Sequence, residues 1–117
     1  MTAYRGIPER TKKGGFVVEV VEADGRVRPL RPRNALCNHS PDGFAWGYGG
    51  SGPAQLALAL AADVLDDDER ALKVYQDLKF AYVAGWAQDQ PWQVEATELL
   101  GWIRGLEAKR APASWVP

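Results

Sequence analysis

An α+β fold, with a small antiparallel sheet packed against about three helices, is what this sequence predicts. Three observations carry the prediction. Phe16 to Glu22 is a β-branched run followed by Asp24-Gly25, a favoured hairpin turn. An alanine- and leucine-rich run follows Pro53. Two later segments place apolar residues at helical spacing. Strands that precede helices, rather than alternating with them, read as α+β.

The hairpin consists of Phe16 to Glu22, a turn in which Asp24 and Gly25 both take positive φ, and a returning strand from Arg26 to Leu30. Ala3 to Gly6 is expected as a short edge strand. Pro29 and Pro32 close this region, because proline donates no ladder hydrogen bond. Arg31 to Asp42 reads as a loop and Phe44-Ala45-Trp46 as a short strand.

Pro53 suits a first helical turn. Ala54 to Leu65 is expected to be a helix that is apolar nearly all round, and so buried. Leu56, Leu58 and Leu60 alternate as on a strand, but the alanines between them favour helix. In Asp66-Asp67-Asp68-Glu69 the carboxylates suit a helix N-terminus better than a metal, for which the spaced ligands of a calcium loop are missing. A second helix is expected over Glu69–Trp86, with Leu72, Tyr75, Leu78, Tyr82 and Trp86 inward. A third is expected over Glu95–Lys109, with Leu99, Trp102, Ile103 and Leu106 inward. Ala111 to Pro117 is expected to fray.

Composition narrows the class. The chain of 117 residues suits one domain, with 1–48 mainly strand and loop, 53–109 helical and 110–117 a flexible tail. A hydrophobic content of 46% supports a core and excludes the disordered class. The single cysteine, Cys37, allows no internal disulfide, and the first ten residues hold no apolar targeting segment, so a cytoplasmic protein is expected. No apolar run is long enough for a membrane span. A net charge of −1 argues against non-specific nucleic-acid binding. Charge is uneven, however. Arg26, Arg28, Arg31 and Arg33 are read as an alternating set that a strand would show on one face. That face is either a solvated edge or a small anion-binding surface.

The segment with chemical content is His39 to Pro53, HSPDGFAWGYGGSGP. Gly47, Gly49 and Gly52 fit the spacing of a dinucleotide fingerprint, but the βαβ unit that gives this spacing its meaning is missing. No Gly-Lys-Ser/Thr is present for a phosphate loop. Pro53 stands where a nucleophile elbow built on Ser51 needs glycine, so Ser51 is expected to be an N-cap. His39, the only histidine, either fixes the loop through a backbone group or serves as a ligand contact or acid–base group. Two readings of the segment stand. In one, the N–H groups of Gly49, Gly50, Ser51 and Gly52 at a helix start bind phosphate, Trp46 or Tyr48 stacks on a base, and Arg31, Arg33 and His39 add charge. In the other, the glycines allow close packing and the aromatic residues are core. Phe44, Trp46 and Tyr48 would share one face of a strand.

The run HSPDGFAWGYGGSGPAQLALAL, with an N-terminal YRG, the DG turn and a downstream YQDLK…W, resembles a small family of unknown function of the DUF6166 type. Its members are single-domain proteins of bacteria, archaea and their viruses. The resemblance covers about Tyr4 to Ile103 and leaves out the tail after Leu106. It implies no activity and no catalytic residue. It implies a setting in which small proteins of phages and mobile elements bind and disable host components.

The expected function is therefore non-enzymatic binding of an anionic small molecule or nucleotide, with no cofactor and no metal. A sponge for an immune signalling nucleotide is one form of it. The alternative is a protein-interaction module that inhibits a host defence complex through the basic strand face or Asp63 to Glu69. Five tryptophans exceed the need of one small core, so Trp86, Trp92 or Trp115 is expected at a homodimer interface.

Overall fold

The computed structural model describes residues 1–111. Its elements are β1 (Ala3–Arg10), β2 (Phe16–Val21), β3 (Val27–Pro29), α1 (Ser51–Leu65), α2 (Asp68–Ala81), a 3₁₀ turn at Val83–Gly85, β4 (Trp92–Glu95) and α3 (Ala96–Arg110). The architecture is α+β, as the sequence predicts. The sheet is antiparallel throughout, in the order β3-β2-β1-β4.

Alternation along the strands gives the sheet one apolar face. Phe16, Val18 and Val20 on β2, Tyr4 on β1, and Trp92 and Val94 on β4 are buried. On the other face Arg5 lies opposite Glu19 and pairs with it at 3.0 Å. β4 corrects two expectations. It lies within the stretch expected to be helical, and it pairs with the free side of β1 through Ala3↔Glu95 and Gly6↔Trp92. β1 is therefore central and not an edge. The hairpin turn also differs: Gly25 alone takes positive φ, at 91°, and its N–H donates to the Glu22 carbonyl. The loop is a three-residue turn closed by a glycine bulge, not the two-residue form. The arginine set does not share a strand face, since β3 ends at Pro29 and the three-residue step from Arg28 to Arg31 breaks the alternation.

α1 lies at the centre of the molecule. Leu56 through Ala61 are without solvent contact, and the alanines among them let α2 and the sheet approach closely. Asp66, in the left-handed region at φ 49°, ends α1. The Asp67 side chain accepts from the Arg70 N–H and starts α2, so the acidic run does cap a helix. α2 stops at Ala81, short of the expected Trp86. Tyr82, at φ −126° and ψ −68°, leaves helical geometry, a 3₁₀ turn follows with Gly85 donating to the Tyr82 carbonyl at 3.1 Å, and the Val83 carbonyl accepts from the Gly47 N–H at 2.9 Å. Ala71, Val74, Tyr75 and Leu78 form the inner side of α2, whereas Leu72, expected inward, is exposed. α3 buries Leu99 and Ile103 and is tied to α2 by Arg70–Glu107 at 2.7 Å. That bond holds the Glu107 carboxyl below its ordinary pKa.

Among the described residues, the tryptophans pack against other aromatic rings. Trp86 and Trp92 stack at 4.0 Å between ring centroids, and Trp102 meets Tyr82 edge-on at 5.9 Å. Trp86 and Trp92 thus pack on each other within the chain. Trp115 lies outside the described residues, as does most of the expected tail.

Candidate functional site

α1 begins without a side-chain cap. Gly50 occupies the N-cap position, and Ser51, expected there, is instead the first helical residue, with its side chain exposed. No acidic residue lies in the first turn. Pro53 brings no N–H, and Ala54 donates to the Gly50 carbonyl at 3.1 Å. Among the described residues, no backbone carbonyl accepts from the N–H of Gly49, Gly50, Ser51 or Gly52. These amides and the helix dipole place partial positive charge at this end of α1.

The aromatic residues before the helix divide. Phe44 makes a single bridge with Phe16 and no strand forms, so the three rings do not share a face. Trp46 is 1% exposed, 4.6 Å from the Phe16 ring, and donates its indole N–H to the Gln90 carbonyl at 3.1 Å. Trp46 belongs to the core. Tyr48 is 45% exposed and lies along the glycine backbone. A Cβ on Gly50 would stand 2.5 Å from its ring, so only glycine lets the ring lie there without a shift.

Lys79 was not among the residues singled out from the sequence. It is 7% exposed, yet its Nζ donates to the Gly49 carbonyl at 3.2 Å and stands 4.3 Å from the centre of the Phe80 ring. Among the described residues no carboxylate lies within salt-bridge distance of it; the eight ion pairs present all involve other cations. An ammonium uses three donors, and here one is engaged. Helical spacing held the signal: Lys79 follows Tyr75 by four residues and so shares its inward side.

His39 lies beside Tyr75, one turn before Lys79 on α2. Its Nε2 is 2.7 Å from the Tyr75 hydroxyl and 3.3 Å from Cys37 Sγ. Burial raises the pKa of the Tyr75 hydroxyl. The loop carrying His39 is held by Gln55, which is fully buried on α1. Gln55 Oε1 accepts from the N–H groups of His39 and Ser40 at 2.8 and 3.1 Å, and its Nε2 donates to the Pro32 and Cys37 carbonyls at 2.5 and 3.1 Å. The His39 ring thus meets the side chains of Tyr75 and Cys37, whereas one reading of the sequence expected a backbone partner for it.

Arg31 and Arg33 do not join this group. They border a polar cavity of about 40 Å³ with Asp63 and Asp66, at the other end of α1. From Ser51 to Asp63 the helix rises about 18 Å. Arg33 pairs with Asp68 at 2.6 Å. Beside it, Asp63 accepts from the Tyr4 hydroxyl at 2.7 Å and from Arg28 at 3.0 Å. Burial, and then the bond to Asp63, raise the Tyr4 pKa far above the ordinary phenol range.

The model of a family of unknown function, DUF6166, matches residues 4–105. The chain belongs to that family. No curated protein and no solved structure matches it. Among the described residues of this DUF6166 chain, no helix is long and apolar enough to cross a membrane, and no three His, Cys, Asp or Glu side chains gather where a metal could be held. What the fold does bring together is an uncapped helix start, a cation without an anion, and two exposed rings, Tyr48 and Phe80.

Proposed function

We propose that this DUF6166 chain is a binding protein that captures a phosphate-bearing small molecule, a nucleotide above all, at the start of α1. The N–H groups of Gly49, Gly50 and Ser51 receive the phosphate oxygens, supported by Gly52 and the helix dipole. The two unengaged donors of Lys79 add charge-assisted bonds. Tyr48 and Phe80 flank the group with apolar surface, and His39 acts from behind, by holding its loop against Tyr75. Held by a phage or mobile element, such a domain would sequester a signalling nucleotide without transforming it.

One observation carries this reading: Lys79 is a buried cation with no carboxylate, placed at a helix start with no acidic cap. Burying an unpaired charge is costly, and a guest anion would relieve that cost. Calorimetric titration against a panel of mononucleotides, cyclic nucleotides and pyrophosphate tests it. Saturable binding tighter than about 1 mM is expected for at least one member, weakened about tenfold in Lys79→Met. A panel without such binding refutes the proposal.

A protein-interaction role is the second reading, and Leu72 and Phe80 favour it, since both are exposed large apolar side chains on α2. It does not favour the surfaces first expected, because Arg28 and Arg33 are paired with Asp63 and Asp68 within the chain. A stoichiometric host protein, lost on Phe80→Glu but retained in Lys79→Met, would select this reading.

A further inference from the structure

Beside Tyr48 lies a cleft of about 220 Å³ bordered by Arg10, Phe16, Ala45, Trp46, Gln88 and Asp89. Tyr48 forms one of its walls and also lies over Gly50, so a single ring separates the cleft from the α1 N-terminus. The volume is below the roughly 300–1,000 Å³ of a pocket for a whole drug-sized ligand and suits one flat heterocycle. Its polar groups are specific in kind. The Arg10 guanidinium carbon stands 4.1 Å from the centre of the Phe16 ring, and one N–H donates to the Gly14 carbonyl at 2.8 Å. Gln88 reaches the Gly47 carbonyl at 3.4 Å and keeps its own carbonyl oxygen. Asp89 takes part in none of the ion pairs among the described residues.

We infer that this cleft is the base subsite of the anion site and that it selects guanine. The inference rests on the proposed binding of phosphate at α1. A ring stacked on Tyr48 gains contact that is indifferent to base identity. The edge groups then choose among bases. A carboxylate accepts two hydrogen bonds side by side, and guanine alone among the common bases presents an N–H and an NH₂ next to each other on its pairing edge. The guanine carbonyl oxygen accepts from Arg10 or the Gln88 amide. Adenine would place a bare ring nitrogen against Asp89, and uracil offers it only one donor. Phosphate leaves the cleft around the edge of Tyr48 toward Gly49, Gly50 and Lys79.

Titration calorimetry with GMP, AMP, UMP and ribose 5-phosphate separates the two subsites. GMP is expected to bind about tenfold or more tighter than ribose 5-phosphate and to exceed AMP and UMP. Asp89→Asn, an exposed change that leaves the core intact, is expected to abolish the preference for GMP over AMP with ribose 5-phosphate unaffected. Tyr48→Ala is expected to bring all four ligands to the affinity of ribose 5-phosphate. Equal affinities of GMP and ribose 5-phosphate for the unmodified chain would overturn the base subsite and leave the phosphate site standing. A GMP preference that persists in Asp89→Asn would overturn the guanine assignment. No binding of any of the four, ribose 5-phosphate included, would remove the phosphate site and the base subsite together.

Discussion

The two ends of α1 carry charges of the same kinds and treat them in opposite ways. At the C-terminal end, Asp63 meets Tyr4 and Arg28, Arg28 also meets Glu22 at 2.8 Å, and Arg33 meets Asp68. Each of these charges has its opposite within the chain. At the N-terminal end, Lys79 has a carbonyl and a ring for company, and the first amides of the helix face no acidic side chain. The difference teaches that a count of arginines locates charge but not a vacancy for a guest. Arg31 and Arg33 looked like ligand groups in the sequence, and the fold sets them beside carboxylates. The buried cation without an ion pair among the described residues is a lysine inside a helix.

Several substitutions would break or sharpen this contrast, the largest effect belonging to the support that both ends share. Gln55→Leu removes four hydrogen bonds from the loop that runs between the ends, and leaves backbone groups at Pro32, Cys37, His39 and Ser40 without their partner. A loss of roughly 3–5 kcal/mol is expected by urea denaturation. A loss below about 1 kcal/mol would show that the loop does not depend on Gln55. Next in size is Asp63→Ala at the paired end, expected to cost about 1–3 kcal/mol because Arg28 and Tyr4 lose their acceptor together. The same change should leave ligand binding at Lys79 as it was.

Alkaline pH probes the paired end by another route. The Tyr4 phenol has a raised pKa in the folded chain, so its stabilising effect is complete below the unfolded value of about 10 and falls away as pH climbs above it. Denaturation midpoints measured from pH 8 to 11 should fall across the upper part of that range, and Tyr4→Phe should flatten the fall. An unchanged slope in Tyr4→Phe would assign the alkaline loss to other groups.

The smallest change in stability is expected at the open end. Lys79→Met removes a buried charge that has no anion and retains the apolar stem, so its effect should stay within about 1 kcal/mol while anion binding drops. A large destabilisation would mean that Lys79 holds the fold together rather than holding a guest.

Legibility followed the length of each pattern. The hairpin of β2 and β3, the buried α1 and the inward residues Leu99 and Ile103 were readable, because each pattern repeats over several residues. β4 was not, since Trp92-Gln93-Val94-Glu95 alternates only once between Pro91 and the start of α3. With β4 unseen, β1 could only look like an edge. α2 was expected to run longer because its apolar spacing continues through Tyr82 and Trp86, whereas the backbone leaves helical geometry at Tyr82 and tightens into a 3₁₀ turn. At the site, the glycine run marked the start of α1, but nothing local distinguished Trp46, which turns into the core, from Tyr48, which turns out. Lys79 was visible only as a charged residue on the inward side of α2, a signal overlooked because charge in a helix usually means a solvated face.

Amide resonances report the contrast most directly. Titrating the isotope-labelled chain with pyrophosphate, the account predicts saturable shifts in the N–H signals of Gly49, Gly50, Ser51 and Gly52, reached only at about tenfold higher pyrophosphate in Lys79→Met, with the signals of Arg31 and Arg33 undisturbed. Shifts centred on Arg31 and Arg33, or none at the glycine residues, would contradict it.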